Sequence, residues 1–83
     1  MDYKEHANNI LREWTLCSSA RPKNNAVDIQ IEKDVCGRWA VNLIHNLNWG
    51  SDVELAEACH QLESRLKLLK EKIVIEVLKN GTV

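Results

Sequence analysis

Read as a pattern of apolar and polar positions, the chain divides into three stretches. The most regular runs from Ser51 to Lys79, where Leu55, Cys59, Leu62, Leu66, Leu69, Ile73 and Val77 recur at steps of three and four. That spacing marks one face of an α-helix and matches a coiled-coil seam. Ser51 and Glu54 open it at capping-box spacing, where each side chain satisfies a backbone N–H of the other residue. Asn80-Gly81 supplies the stop, since both residues tolerate the left-handed conformation that closes helices.

A first helix is predicted over about 2–18. Asp2 stands at its cap, and Tyr3, Ala7, Ile10, Leu11, Trp14 and Cys17 share one face. Ser18 to Asn25 concentrates loop formers, and Pro22 drives Arg21 out of the helical region. Beyond the loop the pattern admits two readings. Val27, Ile29 and Ile31 alternate with polar residues as a strand does, and Ile73–Val77 is the one other β-rich run that could pair with them. The rival reading is a helix over about 26–47 with Val27, Ile31 and Val35 toward the core. Capping signals at both ends of the last segment make that segment helical, which removes the strand's partner.

From Asp34 the helical pattern is firmer. Val35, Cys36, Trp39, Ala40, Leu43, Ile44 and Leu47 form a broad apolar face that Val41 widens. Such width predicts a middle element touched by both neighbours. Gly37 within it costs ~1 kcal/mol relative to Ala, so a helix passing close beside Trp39 is expected. The expected fold is therefore all-α, with three helices near 2–18, 26–47 and 51–79 in a single domain spanning 1–83. The alternative is α+β, with short strands near 27–31 and 73–77.

Composition narrows the function classes. Eighty-three residues make one domain, and 45% hydrophobic with 28% charged residues is a folding composition. Eleven basic against twelve acidic residues leave a formal charge of -1, without the cationic footprint that nucleic-acid binding requires. Cys17, Cys36 and Cys59 are an odd, scattered set, not a disulfide framework. The N-terminal residues lack the apolar core of a signal peptide, and no apolar run approaches the ~20 residues that cross a bilayer. A cytoplasmic protein without membrane contact is expected.

No catalytic, cofactor or metal site is predicted. The cysteines and His6, His45 and His60 include no Cys-x-x-Cys or His-x-x-x-His pair. There is no Gly-rich phosphate loop and no oxyanion-hole turn. His60 lies three residues from both Glu57 and Glu63, a spacing that predicts carboxylate pairing on one helix.

Val53-Glu54-Leu55-Ala56-Glu57-Ala58-Cys59 resembles the first helix of a helix-turn-helix motif. Together with Ile10-Leu11-Arg12-Glu13-Trp14 it resembles segments of phage late-gene antiterminator proteins, over about twenty residues in two pieces. The resemblance implies a transcription regulator, with Arg65, Lys67, Lys70 and Lys72 available to nucleic acid. The following His60-Gln61-Leu62-Glu63 holds no turn former, so the helical period continues through it and no residue roles are carried over.

The last helix should be about 42 Å long against about 24 Å for the first. In its second half Leu68, Val74, Ile75 and Leu78 add apolar surface away from the seam. A helix apolar on two sides must be buried on two sides. The expected function is thus a non-enzymatic interaction module of regulator or inhibitor type. It self-associates through the C-terminal helix, most simply as a dimer, and binds a protein partner. The expected interface is Leu62, Leu66, Leu68, Leu69, Ile73, Ile75, Val77 and Leu78, with Trp49 as an exposed anchor in its turn.

Overall fold

A computed structural model describes residues 2–19 and 27–80. They form α1 (Tyr3–Ser19), α2 (Val27–Trp49) and α3 (Asp52–Asn80), with no strand among the described residues. The all-α expectation holds. The predicted loop lies outside the described residues over 20–26, as does Gly81 of the predicted stop. The α+β alternative is overturned, because 27–31 and 73–77 are both helical. Residues two apart on a helix point about 200° from each other. The alternating run is therefore split between opposite sides: Ile29 is buried, while Val27 and Ile31 stand exposed. Ile29, not Val27 or Ile31, is the residue that faces the core.

Local chemistry sets the helix ends. Asp2 Oδ1 accepts from the backbone N–H of Lys4 at 3.0 Å and of Glu5 at 3.4 Å, capping α1. At its far end Ser18 and Ser19 both donate their hydroxyls to the Thr15 carbonyl. The capping box of α3 is formed reciprocally: Glu54 N–H donates to Ser51 Oγ at 3.2 Å, and Ser51 N–H donates to Glu54 Oε1 at 3.1 Å. The Ser51 backbone N–H, and after it the Ser51 side chain, favour the ionised carboxylate and hold the Glu54 pKa below its ordinary 4.5. Ser51→Ala is expected to lower stability by about 1 kcal/mol in urea unfolding. The ionised Glu54 carboxylate contributes above the ordinary carboxylate pKa, and that contribution is lost as pH falls through the depressed one. Ser51→Ala keeps the Ser51 backbone N–H, so parent and variant should both lose it in acid.

The turn from α2 to α3 is tight. Gly50 N–H donates to the Asn46 carbonyl at 2.9 Å, and a Cβ at Gly50 would meet Asn46 Oδ1 at 2.6 Å and that carbonyl at 2.9 Å. Gly37 differs. A Cβ there would sit 3.6 Å from the Trp14 ring, which is ordinary contact. The helix expected beside Trp39 is thus an indole from α1 over Gly37, and it leaves room. Gly50→Ala should destabilise by about 1–3 kcal/mol, whereas Gly37→Ala should stabilise by up to about 1 kcal/mol. Thermal unfolding of the two variants checks the contrast.

Among the described residues twelve make the core: Ala7 and Ile10 from α1, Ile29, Cys36, Ala40 and Leu43 from α2, and Leu55, Ala58, Cys59, Leu62, Leu66 and Leu69 from α3. Leu11, Trp14, Cys17, Trp39, Leu47 and Ile73 pack partly buried against it. The hub is α3, which packs extensively on both other helices, while α1 and α2 touch each other least. This departs from the expectation that α2 is the middle element. Its face is narrower than the sequence suggested, because Val41 and Ile44 point to solvent.

Two cross-helix pairs fix the register of α1 on α3. His6 Nε2 lies 3.5 Å from Glu63, and Lys70 Nζ lies 2.8 Å from Glu13. Both helices advance seven residues between the pairs, so α1 runs parallel to α3 in constant register. The Cys59 thiol also donates to the Tyr3 carbonyl at 3.9 Å. On the other side Lys72 Nζ meets Glu32 at 3.2 Å, and α2 returns antiparallel from the short turn until Val27 borders Lys79. The shorter helices thus flank α3 along most of its length. Whatever apolar surface α3 leaves uncovered lies on its outward side and not on a protruding tail.

Candidate interaction surface

The seam and the second apolar face of α3 have different fates. Leu62, Leu66 and Leu69 are fully buried in the chain's own core, and Ile73 and Val77 continue that line half-buried. The first three present no surface to a partner in this fold, which corrects their placement in an interface. The seam is an intramolecular one, closed by α1 and α2.

The off-seam residues are another matter. Leu68 is 42% exposed, Ile75 56% and Leu78 79%. Spaced seven and three residues apart, they share one side of α3 opposite the seam. Val74 stands exposed next to Ile75, and these two line a shallow hollow of about 400 Å³ with Lys70 and Glu71. Ile75 also lines a groove of about 420 Å³ that reaches Val27 and Ile29 of α2. One side chain therefore joins two hollows, and exposed Val27 extends the apolar surface from α3 onto the start of α2. Trp49 is 80% exposed at the opposite end of α2, where it is the last helical residue and not part of the turn.

Sequence reasoning missed how the charges are used. His60 was expected to hold a carboxylate, but Glu63 turns to His6 of α1. Lys70 and Lys72, half of the basic set considered for nucleic acid, are paired with Glu13 and Glu32. The bond that the Lys70 ammonium donates to the Glu13 carboxylate favours the charged form and raises the Lys70 pKa above the ordinary 10.5. No sequence signal predicts these pairs, which join residues more than thirty positions apart. Arg65, Lys67 and Lys79 stay exposed on α3 and make no ion pair with a described residue.

The thiols are free: Cys36 and Cys59 are buried and Cys17 is half-buried. Burial pushes all three pKa values up, and for Cys36 the nearby Glu32 carboxylate helps carry the value to about 11. A thiol held protonated is a poor nucleophile. Among the described residues no group of three or more His, Cys, Asp or Glu side chains is placed to hold a metal ion. No described helix is long and apolar enough to cross a membrane. α3 also runs unbroken through His60–Glu63, so the segment resembling a helix-turn-helix start is followed by no turn. Comparison with protein-family models, curated proteins and solved structures finds no match to this chain.

Proposed function

We propose that this protein is a non-enzymatic helical interaction module that binds another polypeptide with the outward side of the C-terminal half of α3. The observation that carries this reading is the exposure of Leu68, Ile75 and Leu78 in one strip, on a helix whose opposite side already fills the core. Single exposed apolar residues are ordinary on a protein surface. A contiguous strip continued by Val74 and Val27 marks an interaction site. Helical interfaces of this kind read as anchors at three- and four-residue steps. The strip sets where a partner sits, and a second copy is the occupant the sequence alone suggested. The charges bordering the strip decide which partner fits.

The test is a variant carrying Leu68→Ser, Ile75→Ser and Leu78→Ser. Its fold should persist in circular dichroism, because none of the three belongs to the buried core. Sedimentation of the purified chain and cross-linking in extract should show a bound polypeptide, either a second copy or another protein, that the variant has lost. Equal binding by both proteins would overturn the reading.

A further inference from the structure

The outward strip has a coiled-coil order of its own. Ser64, Leu68, Glu71, Ile75 and Leu78 follow one another at steps of four, three, four and three, the spacing of a and d positions. Arg65, Lys72 and Lys79 recur every seventh residue along one border of this line, and Lys67 precedes Val74 by seven along the other. Four cations therefore flank the strip, with a single carboxylate, Glu71, inside it. Lys72 is partly offset by Glu32 at 3.2 Å. Asp28 and Glu76 line the groove beside Lys79. Arg65 and Lys67 lie outside that groove, and no acidic residue of α3 occupies either border.

We propose that this strip receives an amphipathic helix of a different protein, one whose apolar face is bordered by acidic residues and carries a basic or amide side chain opposite Glu71. The proposal rests on the interaction-module reading and names the partner's chemistry. Border residues set partner choice in helix pairing, and like charges brought face to face select against a partner. A second copy packed in parallel would set Lys67 against Lys72 and Glu71 against Glu71, and one packed antiparallel would set the Arg65, Lys72 and Lys79 border against its own cations. An anionic bilayer would satisfy the border but not Glu71, whose carboxylate would enter the apolar boundary unpaired. An acidic-bordered helix satisfies both the border and Glu71, and the one polar position inside the strip fixes its register.

The experiment uses two synthetic helical peptides with the same leucine seam and one lysine placed to meet Glu71. One has glutamate at every border position and the other has lysine. Binding to the full chain is measured by fluorescence anisotropy, beside sedimentation of the chain alone and flotation with phosphatidylserine vesicles. The glutamate-bordered peptide should bind at least tenfold more tightly than the lysine-bordered one, and should weaken as salt rises. The variant Arg65→Glu, Lys67→Glu, Lys79→Glu, altered only at exposed residues without a described ion pair, should reverse the preference. Equal binding of the two peptides, a stable dimer of the chain alone, or preference for vesicles would each overturn the proposal. A dimer dissolved by Ile75→Ser would leave the interaction-module reading standing. Loss of no interaction on that substitution would remove both.

Discussion

Leu69→Asp is expected to unfold the protein, while Leu78→Asp nine residues on should change its stability by no more than about 0.5 kcal/mol. Both leucines lie in the same half of the same helix, and composition does not tell them apart. Leu69 has no exposed surface and belongs to the seam with Leu62 and Leu66. A carboxylate there loses its hydration and finds no cation in a core made only of apolar and thiol side chains. The cost of an unpaired buried charge is several kcal/mol, added to the lost packing. At roughly 0.05–0.15 kcal/mol per residue, a chain of this length holds about 4–12 kcal/mol in all. Leu66→Ala is the milder version, expected to cost about 2–5 kcal/mol by leaving a cavity. Urea unfolding followed by circular dichroism measures all three. If Leu78→Asp were the disruptive change, the outward strip would be part of the folding core and the chain would fold only as an assembly.

Much of this was legible in the order of residues, and the limits have physical causes. The seam from Leu55 to Leu69, the reciprocal Ser51–Glu54 cap and the Asp2 cap depend on neighbours within one or two turns, so local pattern reveals them. The segment at 27–31 did not yield to pattern, because alternating Val27, Ile29 and Ile31 fit a strand face as well as two sides of a helix. Periodicity also identifies α3 as two-sided but does not say which side the chain covers. That choice follows from α1 lying parallel and in register, held by His6–Glu63 and Glu13–Lys70, and long-range pairs leave no mark in local spacing. Length misled as well. A helix longer than its neighbours suggested an overhanging tail, whereas α2 reaches Lys79 and the surface is left open around the helix instead of beyond its partners.

Stability is expected to fall as pH rises from about 9 toward 11, and Cys36 should account for a measurable share of the loss. Burial, then the carboxylate of Glu32, then the neighbouring Cys17 raise the Cys36 thiol from its ordinary 9.0 to about 11. The folded chain therefore keeps a proton that the unfolded chain gives up first. Where the unfolded state binds fewer protons, stability declines with rising pH. The loss attributable to Cys36 begins near 9 and is complete once the folded thiol has also ionised. Cys17 and Cys59 act in the same direction, each raised first by burial. Lys70 adds to it, since its bond to Glu13 favours the ammonium and that contribution disappears as pH passes its raised pKa. Cys36→Ala separates the terms. It should be less stable than the parent at neutral pH because a buried sulfur is removed, yet its unfolding midpoint should fall less steeply above pH 9. Parallel slopes for parent and variant would mean that Cys36 ionises in the folded state as readily as in the unfolded one. A thiolate-selective alkylating reagent supplies the independent reading: below pH 9 the half-buried Cys17 should be modified first, and Cys36 only as fast as the core opens.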